Sequence, residues 1–169
     1  MLIAQSGERS WNLCDTSEME VLIRNLEYRD ANEWNVLFRS YLDFYATSRS
    51  EEAMARIWRQ VLGSSPQLQG VVAEAGGRVV GLAHFWFQPS TWAEVANCYL
   101  EDLFVEKSAR GQGIAQALIG EVTSRAQDFG CTELFWITAQ DNVVARKTYD
   151  KVATKSTYVR YEIDLKETR

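Results

Sequence analysis

The chain is poor in the residues that build disulfide or metal scaffolds. Its three cysteines, Cys14, Cys98 and Cys131, are odd in number, far apart and without CxxC spacing. No disulfide framework or metal cluster is expected, and the thiols read as free in a reducing compartment. There is one histidine, His84. No segment approaches the roughly 18 apolar residues of a membrane span, and no basic stretch followed by an apolar run marks a secretion signal. The expected location is cytoplasmic, with no membrane partner. Repeats, low-complexity tracts and linkers are also missing. The net charge is −5 and the sequence pI about 5.0; such a surface repels phosphate backbones and argues against nucleic-acid binding.

What is present has the balance of a globular domain: 169 residues, 46% hydrophobic and 24% charged, with six Trp, seven Tyr and seven Phe. A chain of this length buries roughly two-thirds of its unfolded surface. The rings fill a core or line a ligand groove. Residues 1–20 show neither helical nor strand period and read as a loose leader before one domain spanning 21–169. A strand is expected over 21–26. Asp30 and Glu33 match a capping-box spacing ahead of an apolar stripe through Trp34, Leu37, Phe38, Tyr41, Leu42 and Tyr45. Ser48 and Glu51 repeat that signature before a second stripe ended by Gly63. Two β-prone runs, 71–75 and 78–87, flank Gly76-Gly77 as a hairpin. A strand over 99–105, a helix from Ile114 to Phe129 stopped by Gly130, a strand over 134–138, a helix over 142–151 and an alternating final strand over 157–165 complete the pattern. This order suggests a mixed α/β sheet covered by helices.

The sharpest motif is Leu103-Phe104-Val105, five residues, then Gly111-Gln112-Gly113. A strand running through glycines into a helix aims several backbone N–H groups and the positive end of the helix dipole at one point. Arg110 adds a charged fork suited to phosphate. By itself this motif is either a phosphate or pyrophosphate site or a structural turn. A P-loop would need Lys followed by Ser or Thr where Ile114-Ala115 stand, and a dinucleotide fingerprint would need Gly or Ala at Gln116.

Beyond these local patterns, Arg-x-x-Gly-x-Ala over 110–115 resembles the coenzyme A pyrophosphate loop of the GNAT superfamily of N-acetyltransferases. The string Tyr99-Leu100-Glu101-Asp102-Leu103-Phe104-Val105 resembles that family's central strand, and Thr138…Asn142…Ala145-Arg146…Tyr149-Asp150-Lys151 its second acetyl-CoA motif. Ile23-Arg24…Asp30 resembles its first strand and helix entry. Trp34…Ser40-Tyr41…Phe44-Tyr45 with Thr91-Trp92 is similar to the yeast Hpa-type histone and polyamine acetyltransferases, and the YLED-x-FV string to spermidine/spermine N-acetyltransferases. The resemblance spans about residues 21–165.

The resemblance implies a GNAT-like fold with a mixed six- to seven-stranded sheet and about four helices. It also implies acetyl-CoA as co-substrate, without a metal, and an amine acceptor, either a small molecule or a peptide. Leu103, Phe104 and Val105 would lie beside the pantetheine arm. Arg110, Gly111, Gln112, Gly113, Ile114, Ala115 and Gln116 would hold the pyrophosphate. Asn142, Ala145 and Tyr149, at i, i+3 and i+7, would present one helix face to the same groove, with Asn142 hydrogen-bonded to the pantetheine and Arg146 facing solvent or meeting a CoA phosphate. Tyr149 would be the general acid that protonates the departing sulfur; by residue type and helical spacing alone it is more often a core aromatic. Attack on a thioester needs a neutral amine. Glu101, in the family's usual acceptor position, is the preferred base, the alternative being a carboxylate that only positions a cationic substrate. Glu101 and Asp102 face opposite sides of the strand unless a bulge intervenes. His84 could accept a proton, but a strand histidine among aromatics reads as structural. Val152-Ala153-Thr154 stand where relatives carry Gly and an aromatic, and Lys107 near a usual Pro. A homodimer is expected from the family's habit. The acceptor's identity stays open, and a non-catalytic acetyl-CoA-binding regulatory domain is the rival reading.

Overall fold

The structure, a computed structural model, describes residues 9–11, 20–63 and 68–165. The elements are β1 (Arg9–Trp11), β2 (Val21–Asn25), α1 (Ala31–Phe44), α2 (Glu51–Leu62), β3 (Gln69–Ala75), β4 (Arg78–Gln88), β5 (Ala96–Val105), α3 (Ile114–Phe129), β6 (Cys131–Phe135) and α4 (Val143–Tyr149). The chain divides into two compact units, residues 1–137 and 138–169.

In the first unit the strands form one six-stranded sheet in the order β1 to β6. Every neighbouring pair is antiparallel except β5 and β6, which run parallel because α3 carries the chain back between them. Arg9–Trp11, inside the segment read as a leader, pairs with β2. The β3–β4 turn is Gly76-Gly77, both at positive φ, as a tight hairpin connection demands.

The two faces of the sheet are filled differently. Trp34, Leu37, Phe38 and Leu42 of α1 and Met54 and Val61 of α2 pack with Val72 and Leu82 on one face. Helix α3 covers the other, where Phe129 stacks on Phe87 at 4.0 Å. A Cβ at Gly81 would sit 3.2 Å from Leu118 Cδ1 and 3.4 Å from Ile114 Cγ2. The bare glycine therefore lets the first turns of α3 press onto β4. Along β4, odd-numbered Gly81 and Phe87 face α3, while Leu82 and His84 face α1.

Several sequence expectations need correction. Asp30 precedes α1 but gives it no side-chain cap. It closes a capping box with Glu27 one turn earlier and pairs with Arg24, while Glu33 Oε2 accepts from the Val79 amide on β4. The cap of α2 is Ser50, whose hydroxyl accepts from the Ala53 amide at 3.2 Å, not Ser48. Strand β6 starts at Cys131 rather than Leu134.

In the second unit α4 is shorter than expected, and residues 151–165 form no strand. Alternation specifies which face of a strand would be apolar but supplies no ladder to join, and a strand without a paired edge does not persist.

Candidate active site

The site is built where β5 loses one neighbour. The parallel ladder with β6 runs from Ala96↔Cys131 to Tyr99↔Phe135 and stops. Past that point β5 stays bonded to β4, through Leu103↔Ala83, Phe104↔Leu82 and Val105↔Gly81. Among the described residues no strand pairs with its other edge there. Backbone N–H and C=O groups on an open edge are obligatory hydrogen-bonding groups that accept an added extended segment.

A bulge marks the middle of this stretch. His84 pairs with Asp102 and Phe85 with Leu100, so Glu101 is the extra residue on β5. The bulge breaks the alternation that would otherwise put Glu101 and Asp102 on opposite faces. Glu101 is exposed and Asp102 partly so.

Strand β5 runs directly into the glycine loop. After a 3₁₀ turn at Lys107–Ala109, Arg110 Nε donates to the Val105 carbonyl at 2.9 Å, and its guanidinium lies 5.5 Å from the Phe104 ring centre. The arginine is thus tied to the end of the strand with its Nη groups still able to donate. Gly111 and Gly113 have φ of 81° and 76°, a left-handed conformation that side chains with a Cβ adopt only under strain. A Cβ at Gly111 would meet nothing within 4 Å, so the loop opens outward there. Gly113 caps α3 without a side-chain hydrogen bond. The first amides of α3 have no intrahelical acceptor, so the loop and helix end together present donors suited to an anion. Gln112 is exposed, Ala115 and Gln116 are half-buried, and Ile114 is buried in the core as the anchor of the first turn.

Asn142, Ala145, Arg146 and Tyr149 belong to the second unit. Asn142 is the N-cap of α4, outside the helix proper; its Oδ1 accepts from the Ala145 amide at 3.4 Å and its Nδ2 donates to Thr138 Oγ1 at 3.1 Å. Ala145 and Tyr149, four apart, share one helix face and are half-buried. Arg146 Nη1 donates to the Gln140 carbonyl at 2.7 Å, which closes the loop ahead of the helix.

Sequence reasoning passed over one constellation. Trp34 Nε1 donates to His84 Nε2 at 2.9 Å, and His84 Nδ1 lies 2.8 Å from Asp102 Oδ2. Burial first, and then the Asp102 carboxylate to which its hydroxyl donates, hold Tyr41 far above the usual phenol range. The signal was in the hairpin register, which puts His84 opposite Asp102, but the bulge that sets this register leaves no mark in residue spacing.

The cysteines have no redox geometry in the described residues: Cys98 and Cys131 are free thiols, and Cys14 lies outside those residues. Burial, aided by the nearby Cys131, pushes the Cys98 thiol up to about 12; burial also raises Cys131. Neither forms a ready thiolate nucleophile. No group of metal-ligating side chains occurs among the described residues, and no helix there is long and apolar enough to cross a membrane.

A sheet opened beside a bulged central strand, with a glycine loop and helix N-terminus at its end, is the architecture of an acyl-CoA-type transferase. The profile of the Acetyltransferase (GNAT) family matches residues 34–153. The chain belongs to that family and is an acetyltransferase. It is 29% identical over 144 residues to the D-amino-acid N-acetyltransferase HPA3 of Saccharomyces cerevisiae, covering 84% of this chain and 89% of that protein. It is 33% identical over 126 residues to the thialysine N-epsilon-acetyltransferase of Bos taurus, covering 68% and 72%. The fold is shared with the ribosomal-protein-alanine N-acetyltransferase from Brucella melitensis biovar Abortus 2308, at a TM-score of 0.72 and 24% identity over 86% of this chain and 99% of that one. It is shared too with the aminoglycoside N-acetyltransferase AAC(6')-Iy in complex with CoA, at 0.74 and 19% over 97% and 99%.

Proposed function

We propose that the protein transfers the acetyl group of acetyl-CoA to a primary amine by direct attack within a ternary complex. The observation that carries this reading is the continuity of the open β5 edge with the uncapped, glycine-lined start of α3. A molecule with an amide-bearing arm and a pyrophosphate matches both parts in that order. On this reading the pantetheine arm lies along Leu103, Phe104 and Val105, and the pyrophosphate meets Arg110 and the amides over 111–116.

Acetyl-CoA supplies the activated acyl thioester. Glu101, exposed on the bulge, is the proposed base that takes the amine's proton, directly or through water. The amine nitrogen then bonds to the thioester carbon, the carbon–sulfur bond breaks, and the sulfur receives a proton from the Tyr149 hydroxyl. Asn142, Ala145 and Arg146 are proposed to meet the cofactor at the start of α4; the Asn142 side chain, committed to its cap and to Thr138, would act by holding the α4 entry rather than as an open donor.

The named activities of the relatives, on D-amino acids and thialysine, support a small amino-acid-like amine over a large protein acceptor. The test is amine-dependent thiol release from acetyl-CoA across amino acids, thialysine, spermidine and a lysine peptide. Turnover with the small amines is expected; acetyl-CoA binding with no turnover on any amine would contradict the reading.

We also propose that residues 21–169, with β1 added to their sheet, form a single acetyltransferase domain that works in the cytoplasm as a homodimer. Support for the dimer comes from the chain's last described segment, where Val159, Tyr161, Ile163 and Leu165 alternate with polar residues and are 73–90% exposed. Such a row is the apolar face of a strand that has not met its sheet.

A further inference from the structure

The Trp34–His84–Asp102 chain has a fixed direction. An indole N–H can only donate, so His84 Nε2 carries a lone pair, and the proton of the neutral ring sits on Nδ1, where it is given to Asp102. His84 is fully buried, while the Asp102 side chain is 15% exposed. Both ring nitrogens are thereby satisfied by one tautomer. Asp102 also receives the Tyr41 hydroxyl, which its raised pKa keeps a donor at all working pH values.

Both donors to Asp102 are neutral. Among the described residues no lysine or arginine pairs with it, which leaves a largely buried carboxylate oriented by two groups that do not cancel its charge. Buried carboxylates are ordinarily paired. The surroundings suit a cation. Trp86, two residues beyond His84 and so on the same face of β4, has its ring 4.9 Å from Tyr99, and Tyr41 meets Phe104 at 6.2 Å. Aromatic faces attract ammonium groups as well as excluding water. The bulge at Glu101 sets Asp102 immediately past the point where β6 leaves β5.

We propose that Asp102 is the carboxylate that receives the acceptor's ammonium group, and that Trp34 and His84 are positioning residues that aim it through a single histidine tautomer. This rests on the acetyltransferase reading above and narrows its acceptor to amines that arrive positively charged. Glu101 and Asp102 then divide the work, one taking the proton and the other holding the cation.

The experiment compares a cationic acceptor, lysine or thialysine, with an arylamine that is uncharged at neutral pH, using wild type, D102N, H84L and H84N. Acetyl-CoA affinity is measured separately by calorimetry. D102N should lower kcat/KM for the cationic acceptor by roughly ten- to a hundredfold, the worth of a hydrogen bond to a charged group. Its kcat/KM for the arylamine and its acetyl-CoA affinity should change little, so selectivity for the cation collapses. H84L should follow D102N. H84N, whose amide nitrogen stands near the Nδ1 position and still donates to Asp102, should recover most of the selectivity. If D102N does not fold, the ratio of H84N to H84L decides the matter. Equal losses on charged and uncharged acceptors, unchanged selectivity in D102N, or H84N no better than H84L would overturn the proposal. Wild type that fails to bind acetyl-CoA would instead count against the glycine-loop reading.

Discussion

Arg24 donates to Asp30 at 2.6 and 2.8 Å and to Glu74 Oε2 at 2.7 Å, at the point where β2 hands over to α1. Arg24 and Asp30 are 7% and 2% exposed. Burial alone would raise the Asp30 carboxyl; the Arg24 guanidinium and the Glu27 amide outweigh it and hold the group below its usual 3.8. A carboxyl depressed in the folded state contributes stability that is present above about pH 3.8 and lost as the pH falls through the folded value. Asp30→Asn should therefore cost about 3 kcal/mol near neutral pH, because it leaves Arg24 buried with only Glu74. It should also flatten the loss of stability below pH 3.8, and urea unfolding at several pH values checks both effects. At the same scale, Tyr149→Phe should lower kcat far more than it weakens acetyl-CoA binding, which steady-state kinetics beside calorimetry would measure; equal losses would contradict an acid role.

Local signals and tertiary outcomes separate most clearly at the scale of elements. Helix α3 was legible because its apolar stripe and Gly130 stop are properties of neighbouring residues, and the observed Ile114–Phe129 agrees. The hairpin was legible from Gly76-Gly77 for the same reason. The start of α2 was not: the spacing pointed to Ser48, whereas Ser50 takes the extended backbone, φ −66° and ψ 159°, that brings its hydroxyl to the Ala53 amide. Ser50→Ala should cost about 1 kcal/mol of stability and Ser48→Ala almost none, as denaturant midpoints would show. The glycine loop could be read from its residues, and so could its attachment to β5. The bulge at Glu101 and the histidine that it sets opposite Asp102 could not, since both depend on the register chosen by β4. The last strand failed for a related reason. Alternation over 157–165 is plain, yet a strand forms only where a ladder receives it.

At the scale of the molecule, the groups proposed to meet the acceptor lie on the α1 face of the sheet, and the donors proposed to hold the pyrophosphate lie at the end of β5. A glycine against α3 and a bulge beside α1 make both possible. The exposed alternating segment predicts a particle of twice the 19.3 kDa chain mass in light scattering. A species of one chain's mass at assay concentrations would contradict the dimer. The central claim, that the open β5 edge and the loop at its end hold acetyl-CoA, is tested most directly at Gly113. Calorimetric titration of acetyl-CoA into wild type and Gly113→Val should show binding that the valine weakens by tenfold or more, on the order of 1.4 kcal/mol, with the KM for acetyl-CoA rising in step and the acceptor KM nearly unchanged. An acetyl-CoA affinity untouched by that substitution, in a variant that remains folded, would mean the pyrophosphate binds elsewhere.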